Sequence, residues 1–79
     1  MLVNFDSLRF NDKVKYIKKI IDDKLDHQGS KIFLGIIKID ERNNDTVIDC
    51  NVYNKPTKAV IGLKLTLWID GKLIKMEQI

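Results

Sequence analysis

Reactive side chains are few in this chain: there is one cysteine, Cys50, and one histidine, His27. Nucleophilic catalysis needs a thiol or hydroxyl held against a base that takes its proton. Cys50 falls on the inward set of an alternating, strand-like segment, whereas His27 closes a helical one, so the spacing keeps nucleophile and base apart. A buried free cysteine behaves as a small hydrophobe, and Cys50 is expected to be structural.

The other chemically suggestive group is acidic. Asp22, Asp23, Asp26 and His27 lie close together, with Asp23 and His27 one helical turn apart, a spacing that sets two metal ligands side by side. No third ligand completes that set, and neither a Cys pair nor a His-Glu-x-x-His order is present. The run Asp40-Glu41-Arg42-Asn43-Asn44-Asp45 lacks the glycine and the distal glutamate of a calcium loop. The four glycines are scattered, not gathered into a phosphate-cradling loop. The expectation is a non-enzymatic protein with no metal or cofactor, whose function resides in its surfaces.

Composition narrows the class further. At 79 residues, 44% hydrophobic and 32% charged, the chain has a globular balance and is expected to form one domain over residues 1–79. A domain of this size buries only about 60% of the surface its unfolded chain exposes, so its stability alone is expected to be marginal. The net charge is +3, and the cations are almost all Lys, with Arg only at Arg9 and Arg42. Arg supplies the bidentate contacts that read phosphate and guanine, so a Lys surface favours solubility or loose electrostatic attraction. A lone cysteine and the lack of a leader pattern at the N-terminus predict a cytoplasmic protein, and Lys and Asp interrupt every hydrophobic run, which argues against a membrane partner. The sequon Asn44-Asp45-Thr46 then reads as a chance match in a polar loop. Twelve Ile, twelve Lys and six Asn beside a single Ala, Ala59, are the bias of an AT-rich coding sequence, which suits a phage or mobile-element accessory or anti-defence factor.

Two periodicities define the elements that must position these residues. Phe10, Val14, Ile17, Ile21 and Leu25 recur every three or four residues and predict an amphipathic helix over about 12–27, with Asn11 as N-cap, Ser7 as an alternative earlier start, and Gly29 as the C-terminal cap. From Lys31 the period falls to two, and four strands are expected at about 31–40, 46–53, 59–69 and 72–78. Asp70-Gly71 suits a two-residue type I′ turn. That turn would pair Ile69 with Lys72, Leu67 with Ile74, Leu65 with Met76 and Leu63 with Gln78 on one face, and Trp68 with Leu73, Thr66 with Lys75 and Lys64 with Glu77 on the other. In the second strand Thr46, Ile48, Cys50 and Val52 share the inward face. The first strand is ambiguous: Ile32, Leu34 and Ile36 alternate with Phe33, Ile37 and Ile39, and Gly35 suggests a bulge or a close backbone contact. The fold class is therefore α+β, a helix on one face of a three- to four-stranded antiparallel meander.

One helix covers one sheet face, so apolar side chains on the other remain for a partner. Trp68, Leu73, Val60, Tyr53 and Val47 are expected there, with Phe33, Ile37 and Ile39 if the first strand faces that way, and Tyr16 and Ile20 fall beside the helix's core stripe. Large aromatics anchor protein interfaces, so the first expectation is an interaction protein, a homodimer or a regulator or inhibitor of a larger partner, with Trp68, Leu73, Tyr53, Val60, Tyr16 and Ile20 as interface residues. The alternative is a nucleic-acid binder that stacks bases on Tyr53 and Trp68 and draws phosphate with Lys64, Lys75, Lys15, Lys18 and Lys19. A third class is a small-ligand-binding protein whose site is completed across a dimer. The helix also starts with Lys13, Lys15, Lys18 and Lys19 and ends with Asp22, Asp23 and Asp26, the reverse of what its dipole favours. Such an order fits either drift on a solvated face or a partner that reads a Lys patch beside an Asp patch.

Overall fold

The computed structural model describes residues 4–25 and 30–79. Among these, a 3₁₀ turn (Phe5–Ser7) precedes the helix α1 (Phe10–Lys24) and the strands β1 (Lys31–Glu41), β2 (Asp45–Asn54), β3 (Ala59–Trp68) and β4 (Leu73–Gln78). The strands pair antiparallel in the order β1-β2-β3-β4, and α1 packs on one face of the sheet, against β1. The architecture is the expected α+β.

The helix starts earlier than its sequence signals suggest. Arg9, extended at φ −67° and ψ 156°, is the N-cap and makes no side-chain cap, so Asn11 lies inside the first turn and does not cap it. Ser7 instead closes the preceding 3₁₀ turn, where its hydroxyl donates to the Asn4 carbonyl at 2.8 Å. With these bounds Asp12 falls in the first turn and Lys24 in the last, both in the sense the helix dipole favours, which softens the reversed charge order. The helix ends at Leu25, whose N–H donates to the Ile21 carbonyl. The expected cap Gly29, and Asp26 and His27 of the acidic cluster, lie outside the described residues.

Ile17 and Ile21 are fully buried, and Leu25 packs beside them. Phe10 departs from the expected stripe and is 60% exposed. The aromatic that fills the core is Phe5, delivered by the 3₁₀ turn and fully buried. Its N–H donates to the Ile69 carbonyl at 3.1 Å, its ring meets the Tyr16 ring edge-on at 5.7 Å, and Lys13 Nζ lies over it. Asp6 next to it accepts a 2.8 Å hydrogen bond from the buried Thr46 hydroxyl. The N-terminal turn thus closes the end of the sheet at which the β1–β2 and β3–β4 connections lie.

Register divides the strands into two faces. Ile48, Cys50 and Val52 of β2 and Leu63, Leu65 and Leu67 of β3 point into the core, as their alternation predicts. β1 contributes Phe33, Ile36 and Ile39, spaced by three. Its register slips between Phe33 and Gly35 and again between Ile36 and Lys38, so two bulges replace the strict period of two and resolve the ambiguity of that strand.

The β3–β4 hairpin keeps the expected pairs Leu63 with Gln78, Lys64 with Glu77, Leu65 with Met76 and Thr66 with Lys75. Its tip differs. Trp68 and Lys72 close a three-residue loop, with Gly71 N–H donating to Trp68 O and Trp68 N–H to Lys72 O. Gly71 has φ +89° and Asp70 no positive φ, so the type I′ turn, which needs both, does not form. The extra loop residue moves Leu67 from Ile74 onto Leu73. Leu73 therefore packs against the core, on the face opposite Trp68, and Ile74 becomes 41% exposed.

Candidate docking surface

The face of the sheet turned away from α1 is built by the residues that alternate with the core positions. Cross-strand neighbours on one face stand about 4.5 to 5.5 Å apart, so register converts the sequence into rows. One row runs Lys38, Asp49, Lys64, Glu77 from β1 to β4, and the next runs Asp40, Val47, Thr66, Lys75. Along the strands, Arg42 Nε lies 3.4 Å from Asp40, and Lys75 Nζ lies 3.3 Å from Glu77. These long side chains line a shallow trough whose floor is Val47 and Thr66, both buried although no element of the described residues covers them.

Apolar side chains flank this charged centre. At one end Ile32, Tyr53 and Val60 form a row, with Val60 58% exposed, and in the row between it and the trough Ile79 packs over Gly62. At the other end Trp68, 47% exposed, lies beside Asp45. Of the side chains expected on this face, Trp68, Tyr53, Val60 and Val47 are there and Leu73 is not. Phe33 and Ile39 belong to the core side.

Tyr16 and Ile20 lie away from this surface and pack at the margin of the core. The Tyr16 hydroxyl donates to the Gly71 carbonyl at 2.5 Å, an anchor between helix and hairpin. Burial, and then the Asp70 carboxylate, raise the Tyr16 pKa above its usual range. Tyr16 and Ile20 also border a small depression with Lys19 and Asp23 on the helix. The candidate phosphate-binding lysines are divided: Lys64 and Lys75 sit on the open face among carboxylates, while Lys15, Lys18 and Lys19 belong to the helix on the opposite side, where Lys18 pairs with Asp22 at 3.0 Å.

One carboxylate oxygen in the trough lacks a hydrogen-bond partner among the described residues. Asp49 Oδ1 is shielded from solvent and accepts no hydrogen bond, although Lys38 and Lys64 stand on either side in its row. Neither lysine closes an ion pair among the described residues. On the core side of the same strand Cys50 is fully buried, and burial, with a smaller contribution from Asp49, pushes its thiol up to about 11. Among the described residues no three Cys, His, Asp or Glu side chains are grouped to hold a metal ion, and no helix is long and apolar enough to cross a membrane. No known family, curated protein or solved structure matches this chain.

Sequence reasoning pointed to the aromatic and aliphatic side chains of this face and passed over Lys38, Asp40, Arg42 and Asp49. Their signal was available as Lys and Asp at alternate positions of successive strands, but it becomes a pattern only once the bulges of β1 fix which positions share a row.

Proposed function

We propose that this protein is a small non-enzymatic binding domain that docks a protein partner through the open face of its sheet, as a regulator or inhibitor suited to a phage or mobile-element setting. The observation that carries this reading is the uncovered face itself, with Trp68 at one end, Tyr53 and Val60 at the other, and fixed charges between. Exposed aromatic and aliphatic anchors bracketing charges of both signs match the anatomy of a protein interface, where anchors supply affinity and charges supply register.

A nucleic-acid partner fits less well. Each cation of the trough has a carboxylate beside it, so the face presents no sustained positive potential to a phosphate backbone, and Lys15, Lys18 and Lys19 belong to the helix on the other side of the sheet. Fluorescence anisotropy with single- and double-stranded oligonucleotides at low salt is expected to show no salt-sensitive binding. The positive test pairs Tyr53→Ser and Val60→Ser in one variant and Lys15→Glu and Lys19→Glu in another. The first is expected to keep its circular dichroism and lose protein binding, and the second to keep both. Protein binding that survives the first variant and fails in the second would overturn the proposal.

A further inference from the structure

The charges of the open face have a symmetry that identifies an occupant. Along the central row they alternate as plus, minus, plus, minus from Lys38 to Glu77, and the next row begins at Asp40 with minus and ends at Lys75 with plus. Reading either row from the opposite edge exchanges every sign. A half-turn about an axis that runs along the strands between β2 and β3 performs that reversal, laying β1 of one copy over β4 of another and β2 over β3. Two sheets stacked face to face keep their strands within about 30° and about 10 Å apart, a separation that long charged side chains from both sides can bridge.

We infer that the partner docked on the open face is a second copy of this chain, related by a two-fold axis parallel to the strands, an assignment that rests on the docking role proposed for that face. In this arrangement Lys38 of each copy meets Glu77 of the other, Asp49 meets Lys64, and Asp40 meets Lys75. Val47 meets Thr66 on the trough floor, and Tyr53 meets Val60 at the apolar end. Asp49, which closes no ion pair among the described residues, then faces the Lys64 ammonium of the other copy. A two-fold axis across the strands, between the two rows, serves less well, because it sets Asp49 over Val47 and Lys64 over Thr66 and leaves the central charges unmatched. The interface is isologous, with every contact made twice, so a single charge reversal introduces two repulsions.

Sedimentation equilibrium on the full chain tests this with Lys38→Glu and Glu77→Lys, made separately. Both positions are exposed, and circular dichroism on each variant checks that it folds. The wild type is expected to dimerise, and each variant to self-associate at least about tenfold more weakly, because like charges then face each other. An equimolar mixture of the two variants is expected to regain the dimer. Across that mixed dimer the two substituted side chains face each other with opposite charges, and the unchanged Glu77 of one copy faces the unchanged Lys38 of the other, a rescue that an axis across the strands does not give. Should either variant fail to fold, Asp40→Lys and Lys75→Asp form a second complementary pair. A wild type that is monomeric at all concentrations overturns the inference while leaving docking on this face to the variants at Tyr53 and Val60. A dimer indifferent to both reversals, or a mixture no tighter than its components, overturns the proposed geometry.

Discussion

Gly71 is constrained both by its backbone and by a close neighbour. Its φ of +89° suits glycine alone, and a Cβ there would lie 2.6 Å from the Tyr16 hydroxyl oxygen. Gly71→Ala is therefore expected to destabilise the fold by about 1 to 3 kcal/mol in denaturant titration, from a strained backbone conformation and the loss of the helix anchor. Tyr16→Phe removes only the hydrogen bond to Gly71 O and leaves the ring against Phe5, so its expected cost is about 0.5 to 1.5 kcal/mol.

Alkaline pH probes the same residues. Tyr16 and Cys50 both hold their protons more tightly in the folded chain, Cys50 at about 11 against an ordinary 9.0. The stability each contributes is complete below its unfolded-state pKa and is lost as pH rises through its folded-state value. Stability attributable to Cys50 is thus flat through neutrality and falls between pH 9 and about 11. Thermal midpoints measured across that range are expected to fall less steeply in Cys50→Ala than in the wild type. Equal slopes would place the thiol in a less buried setting.

At the scale of elements, the helix stripe around Ile17 and Ile21, the alternation of β2 and the four inner pairs of the β3–β4 hairpin were legible, because each is a local period repeated over a turn or more. The hairpin tip was not, since Asp70-Gly71 serves both a two-residue loop and the three-residue loop found here, and local sequence does not choose between them. Anchoring of Gly71 by Tyr16, 55 residues away in sequence, is the kind of long-range contact that can choose. Truncation separates the two registers: Leu73→Ala is expected to cost roughly 2 kcal/mol or more, and Ile74→Ala under about 1 kcal/mol, whereas the two-residue turn would reverse the order.

Phe5 was missed for a related reason. A three-residue turn has no period, and the burial of its ring depends on Ile69 and Tyr16, far along the chain. Phe5→Ala is expected to lower stability by about 3 to 5 kcal/mol in urea titration, a large share for a chain of this size, while Phe10→Ala stays within about 1 kcal/mol.

At the scale of the molecule, among the described residues one helix and the 3₁₀ turn before it enclose one side of a four-stranded sheet, leaving the other side to charges arranged by register. An uncovered face was legible from counting one helix against one sheet. Its character was not, because Lys38 and Asp40 join Asp49, Lys64, Lys75 and Glu77 in ordered rows only after two bulges shift β1. The leftover face is consequently less apolar than a plain alternation implies, with aromatic and aliphatic anchors at its ends and a neutral grid of charges at its centre.

In-cell thiol labelling tests the docking role of that face most directly, whatever the partner. Cys50 is buried with a raised pKa and is a silent background, so reporters are placed by Val60→Cys on the open face and Lys19→Cys on the helix. In the native host the Val60→Cys reporter is expected to label several-fold more slowly than it does in purified protein diluted until it sediments as a monomer, while the Lys19→Cys reporter labels alike in both. Equal labelling of the Val60→Cys reporter in the two settings would contradict the account, because a face that performs the function by docking cannot remain open where the function is exercised.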